Sequence, residues 1–172
     1  MKKGLVILAL LLAGVSAFAQ EPVTLERILQ VNTPATLKAN WHQTRHSQLL
    51  TQNLVSDGVV YLQQPDMLRW ETLSPIQSVS ILSGQAPQGR FRLPSDKDFR
   101  ASIMEGEQYT VTLTPVRRDL KQLFSQITLK VQRGTLQITS ALITSTDGDW
   151  SLIEFRDVQT GLSLSPDLFA KE

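Results

Sequence analysis

Along most of this chain apolar and polar residues alternate with a period of two, the mark of strands that bury one face. Leu37, Ala39, Trp41 and Gln43 alternate with Lys38, Asn40, His42 and Thr44. After Ser56-Asp57-Gly58, which reads as a turn, Val60 and Leu62 share a face. Past Pro65-Asp66 come Leu68 and Trp70, opposed by Arg69 and Glu71, and beyond Ser74-Pro75 the residues Val79 and Ile81 alternate with serines. The later half follows the same rule, with Phe91 and Leu93, then a strand around Ala101–Met104. A turn at Glu105-Gly106-Glu107 follows, then Tyr109, Val111 and Leu113 set against threonines. Further strands are predicted at Ile127-Leu129-Val131, Leu136-Ile138 and Ile153-Phe155, separated by hairpin-like Arg133-Gly134 and Thr146-Asp147-Gly148-Asp149.

Two segments break this period. Leu25, Ile28 and Leu29 fall at i, i+3 and i+4, so a short amphipathic helix is expected, with Pro22 in its first turn and its end near Val31. A helix of about ten residues is marginal alone, so its apolar face must dock on the strands. The extreme N-terminus carries Met1-Lys2-Lys3, an apolar run from Leu5 to Val15 and Ala17-Phe18-Ala19. That is the layout of a cleavable secretory signal over residues 1–19, cut before Gln20, and the run falls well short of the roughly 20 residues a spanning helix needs. Residues 20–172 then read as one domain, mainly β with minor α. Many short strands without a βαβ rhythm imply a curved antiparallel sheet or barrel.

Composition narrows the function. The chain has no cysteine, which excludes disulfides, thiolate metal sites, cysteine nucleophiles and the lipid-bearing cysteine of a bacterial lipoprotein. Without Lys2 and Lys3 the 17 basic residues fall to 15 against 16 acidic ones, and the longest basic run, Arg117-Arg118, is followed at once by Asp119 and reads as a solvated turn. No basic block marks a nucleic-acid or anionic-membrane footprint. His42 and His46 lie about 13 Å apart if extended, too far to share one metal. Asp147 and Asp149 flank Gly148 in a turn, and with Glu154 they give no convincing acid–base pair, so neither catalysis nor a cofactor is expected. The inner face collects Trp41, Val60, Leu62, Leu68, Trp70, Val79, Ile81, Phe91, Val111, Leu113 and Phe155. These residues fit either a filled core or the wall of an apolar ligand cavity.

The succession Trp41-His42-Gln43, Gly58-Val59-Val60-Tyr61-Leu62-Gln63-Gln64-Pro65 and Met67-Leu68-Arg69-Trp70-Glu71, closed by Ser74-Pro75, resembles the LolA family of periplasmic lipoprotein carriers. Leu113-Thr114-Pro115, Leu120-Lys121-Gln122, Ile127-Thr128-Leu129, Asp147-Gly148-Asp149 and Ile153-x-Phe155 follow in the family's order. The resemblance implies an unclosed β-barrel whose cavity shields acyl chains of lipoproteins between an inner-membrane release complex and an outer-membrane acceptor. The carrier would be monomeric, with the helix bearing Leu25, Ile28 and Leu29 as its lid. A specialised carrier of another lipid or polyene ester, and an envelope-assembly module with a filled core, are the alternatives. The sequence departs from the family in three places. Gln64, on the parity of Val60 and Leu62, replaces an arginine that ties down the lid. The segment from Ser83 to Ile103 is shorter than its family counterpart, and no extended tail follows Phe169.

Overall fold

The structure, a computed structural model, describes residues 22–82 and 97–170. The proposed signal segment, the Phe91-Leu93 strand and most of the shortened middle lie outside the described residues.

Nine strands form one sheet: β1 Thr36–His46, β2 Leu54–Gln63, β3 Met67–Ser74, β4 Ser78–Leu82, β5 Phe99–Met104, β6 Tyr109–Pro115, β7 Phe124–Val131, β8 Ile138–Ser145 and β9 Trp150–Thr160. Their order is β4-β3-β2-β1-β9-β8-β7-β6-β5, every described pairing is antiparallel, and the sheet does not close into a barrel. The two hairpin runs β1–β4 and β5–β9 are joined where the long strands β1 and β9 pair, so the first and last strands meet in the middle and β4 and β5 become the edges. Helix α1 spans Leu25–Asn32 and a short α2 spans Arg118–Leu123; a single 3₁₀ turn covers Pro166–Phe169.

Helix α1 starts at Thr24, whose hydroxyl accepts the Arg27 N–H at 3.2 Å, so Pro22 precedes the helix and does not sit in its first turn. Two local irregularities set which side chains face inward. The β1–β9 register slips between Lys38 and Asn40, where Asp157 has φ 52° and its carboxylate accepts from Asn40 at 2.8 Å. This bulge keeps both Phe155 and Val158 on the inner face although three positions separate them. The β7–β8 register slips between Lys130 and Val131, so Ile138 pairs with Val131 and faces inward as well as Ala141.

Three expectations change. Ser56-Asp57-Gly58 is not a turn: β2 runs through it, and the reversal occurs in residues 47–53. The strand expected at Leu136-Ile138 begins only at Ile138, because Leu136 takes a positive φ of 58° in the preceding turn. Arg117-Arg118 opens α2: Arg117 bonds the buried Asp98 at 3.0 Å and also pairs with Asp119, so these charges brace a connection.

Gly58 has a packing role. It lies opposite Trp41 in the register, and a Cβ there would sit 1.9 Å from the Glu71 carbonyl oxygen and 2.4 Å from the Trp41 ring. Neither a paired backbone nor a 3% exposed indole can yield that space. Gly58→Ala is therefore expected to cost about 3 kcal/mol or more, the upper range for overpacking, measured by urea denaturation.

Candidate functional site

The concave face carries two apolar clusters, and they are not equivalent. In the first, Ile28 of α1 is fully buried against Phe99, Val111, Leu113, Leu129, Val131 and Leu136, with Val23, Leu25, Ile127 and Ile138 packed around them. Burying Ile28 contributes roughly 1.5–3 kcal/mol. This half of the face is filled.

The second cluster gathers Ala39, Trp41 and Val60, with Leu37, Leu68, Trp70, Ile153, Phe155 and Val158 against them. It borders an open cleft of about 210 Å³, lined by Leu37, Ala39, Val60, Leu62, Leu68, Trp70, Phe155 and Val158, with Asn32 and Ile138 on the side of α1. Cross-strand pairing explains the wall, because Leu37↔Leu62↔Leu68 and Ala39↔Val60↔Trp70 are rows across β1, β2 and β3. Trp70 stacks on Trp41 with ring centroids 4.7 Å apart, so Trp41 backs the wall while Trp70 forms it.

The residues singled out from the sequence thus divide. Val60, Leu62, Leu68, Trp70 and Phe155 line the cleft, with Trp41 behind them. Val111 and Leu113 belong to the filled half instead, since α1 seals them. Val79 and Ile81 lie on the opposite face: they pair with Glu71 and Arg69, while Ser80 and Leu82 pair with Trp70 and Leu68. There they border a groove of about 640 Å³ with Arg69, Gln77 and Ala170, where Arg69 donates to the Leu168 carbonyl at 2.9 Å and pairs with Glu71 at 3.3 Å. Phe91 lies outside the described residues. Helix α1 sits on the filled half through Leu25 and Ile28, Leu29 belongs to neither cluster, and only the helix's last residue reaches the cleft, so among the described residues it does not cover the opening.

Asn32, which no periodicity signals, holds that arrangement. Its amide nitrogen donates to the carbonyls of Ile28 at 2.7 Å and Leu136 at 2.8 Å, and its oxygen accepts the Ile138 N–H at 2.8 Å. The helix end is thereby bolted to the β7–β8 turn. Gln64 lies just past β2, and its exposed side chain donates to the Thr33 carbonyl at the end of α1 across 3.4 Å. His42 pairs with Asp57 at 2.7 Å and His46 stacks on Trp150, both on the convex face. Asp149 accepts the Gln48 N–H at 2.9 Å, and that bond, with Ser47 and nearby positive charge, holds its carboxyl below the usual carboxylate range. Its task is tying the β1–β2 loop to the β8–β9 turn. No helix among the described residues is long and apolar enough to cross a membrane.

No family model and no curated protein matches the sequence. Solved structures do match. MucB of Pseudomonas aeruginosa, solved in complex with MucA, aligns with a TM-score of 0.54 and 15% identity over 86% of this chain and 59% of that one. MucB alone aligns at 0.52, again with 15% identity, over 86% and 61%. The chain therefore spans somewhat over half of MucB and shares the fold of that part. A LolA superfamily protein from Nitrosomonas europaea aligns at 0.46, with 13% identity over 87% of this chain and 99% of that one. As the resemblance implied, the fold is an antiparallel sheet left open, with an N-terminal helix against its concave face.

Two substitutions test how this sheet holds its helix. Asn32→Ala leaves the Leu136 carbonyl and the Ile138 N–H without partners, an expected loss of about 2–3 kcal/mol in urea unfolding with faster amide exchange in α1. Gln64→Arg places a charged donor at the negative end of α1, and a gain of about 0.5–1 kcal/mol with slower exchange in the same amides is expected.

Proposed function

We propose that this protein is a non-enzymatic periplasmic carrier that shelters acyl chains of a lipoprotein, or of a related lipid, in the concave cleft during passage from the inner to the outer membrane. The observation carrying this reading is the uneven filling of the concave face: one half is sealed by α1, while the other presents aligned Leu, Val, Trp and Phe side chains around an open cleft. Each methylene taken out of water there contributes about 0.8 kcal/mol, which is a sufficient driving force for loading without any chemical step. Directional transfer then needs only an acceptor with a better cavity. An inner-membrane release complex and an outer-membrane acceptor complete the reading, and no cofactor enters it.

A second reading has an observation of its own. MucB, whose fold this chain shares over somewhat more than half of MucB's length, was solved with MucA bound, so an envelope protein held on this sheet is the competing proposal. Native mass spectrometry of the protein purified gently from its own periplasm separates them. A co-purifying lipid or acylated protein supports the carrier; a non-acylated polypeptide supports the interaction module.

Trp70→Glu places a carboxylate in the cleft wall and removes the partner stacked on Trp41. Saturable binding of an environment-sensitive apolar dye is expected to fall at least tenfold, with Leu68→Glu behaving alike. Undiminished dye affinity in a folded variant would remove these residues from the binding wall.

A further inference from the structure

We infer that one rim of the sheet, built from the β1–β2, β3–β4 and β6–α2 connections, inserts into the surface of an anionic phospholipid bilayer, with Leu49 as its leading side chain. Among the described residues, most of the large apolar side chains left exposed gather there. Leu49 is 93% exposed and Ile76 77%, and Leu54, Val55, Val116 and Leu123 are exposed as well. The pairings of His46 with Trp150, Phe124 with Ser145 and Phe99 with Pro115 put these connections at the same end of the strands. The turns of the other end read Gln64-Pro65-Asp66, Glu105-Gly106-Glu107 and Gln132-Arg133-Gly134, and there the exposed Leu82 and Met104 lie in strands and not at the tips.

The exposure of Leu49 is built into its loop. Ser47 is buried, and the Leu50 N–H donates to the Ser47 carbonyl at 3.0 Å. Gln48 is tied to the β8–β9 turn twice, through its N–H to the Asp149 carboxylate at 2.9 Å and its side-chain amide to the Asp147 carbonyl at 2.7 Å. Residue 49 is thus held out in water by bonds on either side of it, and an exposed apolar group of this kind gains by transfer to an apolar phase.

Two features favour a bilayer over a protein as that phase. Leu54 has the parity of Val60 and Leu62 and belongs to the concave face, while its neighbour Val55 belongs to the convex one. A protein docked on either face covers one of the two; a medium that surrounds the rim takes both. The tips also stand apart, over roughly 30 Å of rim from the β3–β4 turn to α2, and a fluid surface accepts separate side chains where a groove does not. Charge then selects an anionic surface. At this end Asp98 and Asp119 pair with Arg117, and Asp149 accepts from Gln48, whereas the basic side chains Arg45, Lys97, Arg118 and Lys121 are exposed. They are scattered in sequence, and the fold brings them to one rim.

The cleft lies away from this rim. Leu37, Leu62 and Leu68 form a row beside the Gln63–Met67 reversal at the other end of the same strands, so a docked molecule keeps its cleft clear of the lipid and the inference stands apart from the carrier reading.

The test is co-sedimentation of the mature chain with vesicles of phosphatidylethanolamine and phosphatidylglycerol, and with vesicles of phosphatidylcholine alone. Binding to the first is expected, about tenfold weaker to the second. Leu49→Ser, at a side chain the fold leaves in water, is expected to lower affinity about tenfold. Because the chain has no cysteine, Leu49→Cys carries a fluorophore at one place only, and Glu107→Cys serves as its counterpart at the polar end. The label at residue 49 is expected to report an apolar environment when anionic vesicles are added, and the label at residue 107 to report no change. Trp70→Glu, which impairs the cleft, is expected to bind vesicles as the unaltered chain does.

No binding to anionic vesicles, undiminished binding by Leu49→Ser, or equal responses from the two labels overturns the inference and leaves the carrier reading in place. Loss of vesicle binding in folded Trp70→Glu also overturns it, since capture of lipid by the cleft then accounts for the sedimentation. Self-association that Leu49→Ser abolishes, without vesicle binding, assigns the rim to a second copy of the chain and overturns it likewise.

Discussion

An eight-residue helix cannot cover the apolar face of a nine-stranded sheet, and the rest of the molecule follows from that mismatch. Eight strand spacings measure roughly 38 Å around the sheet. Helix α1 is roughly 12 Å long and about 10 Å thick. Wherever it lies, it can seal less than half of the concave surface against water. The sequence places its one fully buried side chain, Ile28, over strands β5–β8, and the remainder around β1, β2, β3 and β9 is left as a cleft. Among the described residues, the cleft is thus the part of the curved sheet that α1 does not reach.

Apolar packing alone gives so short a helix little reason to stay in one place. One side chain of α1 is buried outright. Its position is fixed instead by directional bonds at its C-terminal end, where Asn32 satisfies a carbonyl and an N–H of the β7–β8 turn that the turn itself leaves unpaired. Because those bonds stand between the filled half and the cleft, the helix works as a partition. The amide of Gln64 adds only a long contact to Thr33 from the other side. A chain end can enter the cleft without displacing the helix, which separates this geometry from a lid that must lift.

Much of this was legible in the sequence, and where it was not the reason is physical. Period-two alternation located β1, β2, β3, β4, β5, β6, β7 and β9, and it correctly aligned Val60, Leu62, Leu68 and Trp70, because parity within an uninterrupted hairpin is a rigid consequence of backbone geometry. Parity fails across irregularities. Val158 and Ile138 line the cleft only because bulges shift the register by one, and Asp157 at φ 52° is a signal visible once the backbone is known. Val79 and Ile81 misled for another reason: on the edge strand the apolar side meets a groove behind the sheet, beside Arg69 and the C-terminal segment, while serines take the inner positions. Gly58 resembled a turn residue, yet its lack of a side chain is what lets Trp41 lie against the strand.

The same dimensions constrain how tightly any cargo can be held. Each buried methylene supplies about 0.8 kcal/mol, so a short run of chain gains little beyond the at least about 4 kcal/mol that association consumes in lost translational and rotational freedom. What remains is a weak grip on an isolated chain. Weak holding suits a carrier, since a chain that leaves readily can be taken by an acceptor with a deeper cavity. It also means that any tight complex must draw on contacts outside the cleft, from the polar or protein part of the cargo. The groove beside Arg69 lies on the sheet's other face and is available for such contacts. A sheet that grips a lipid tail weakly on its concave side and a polypeptide on another would join the two functional readings in one mechanism, with the protein contact setting affinity and the cleft checking that the tail is present.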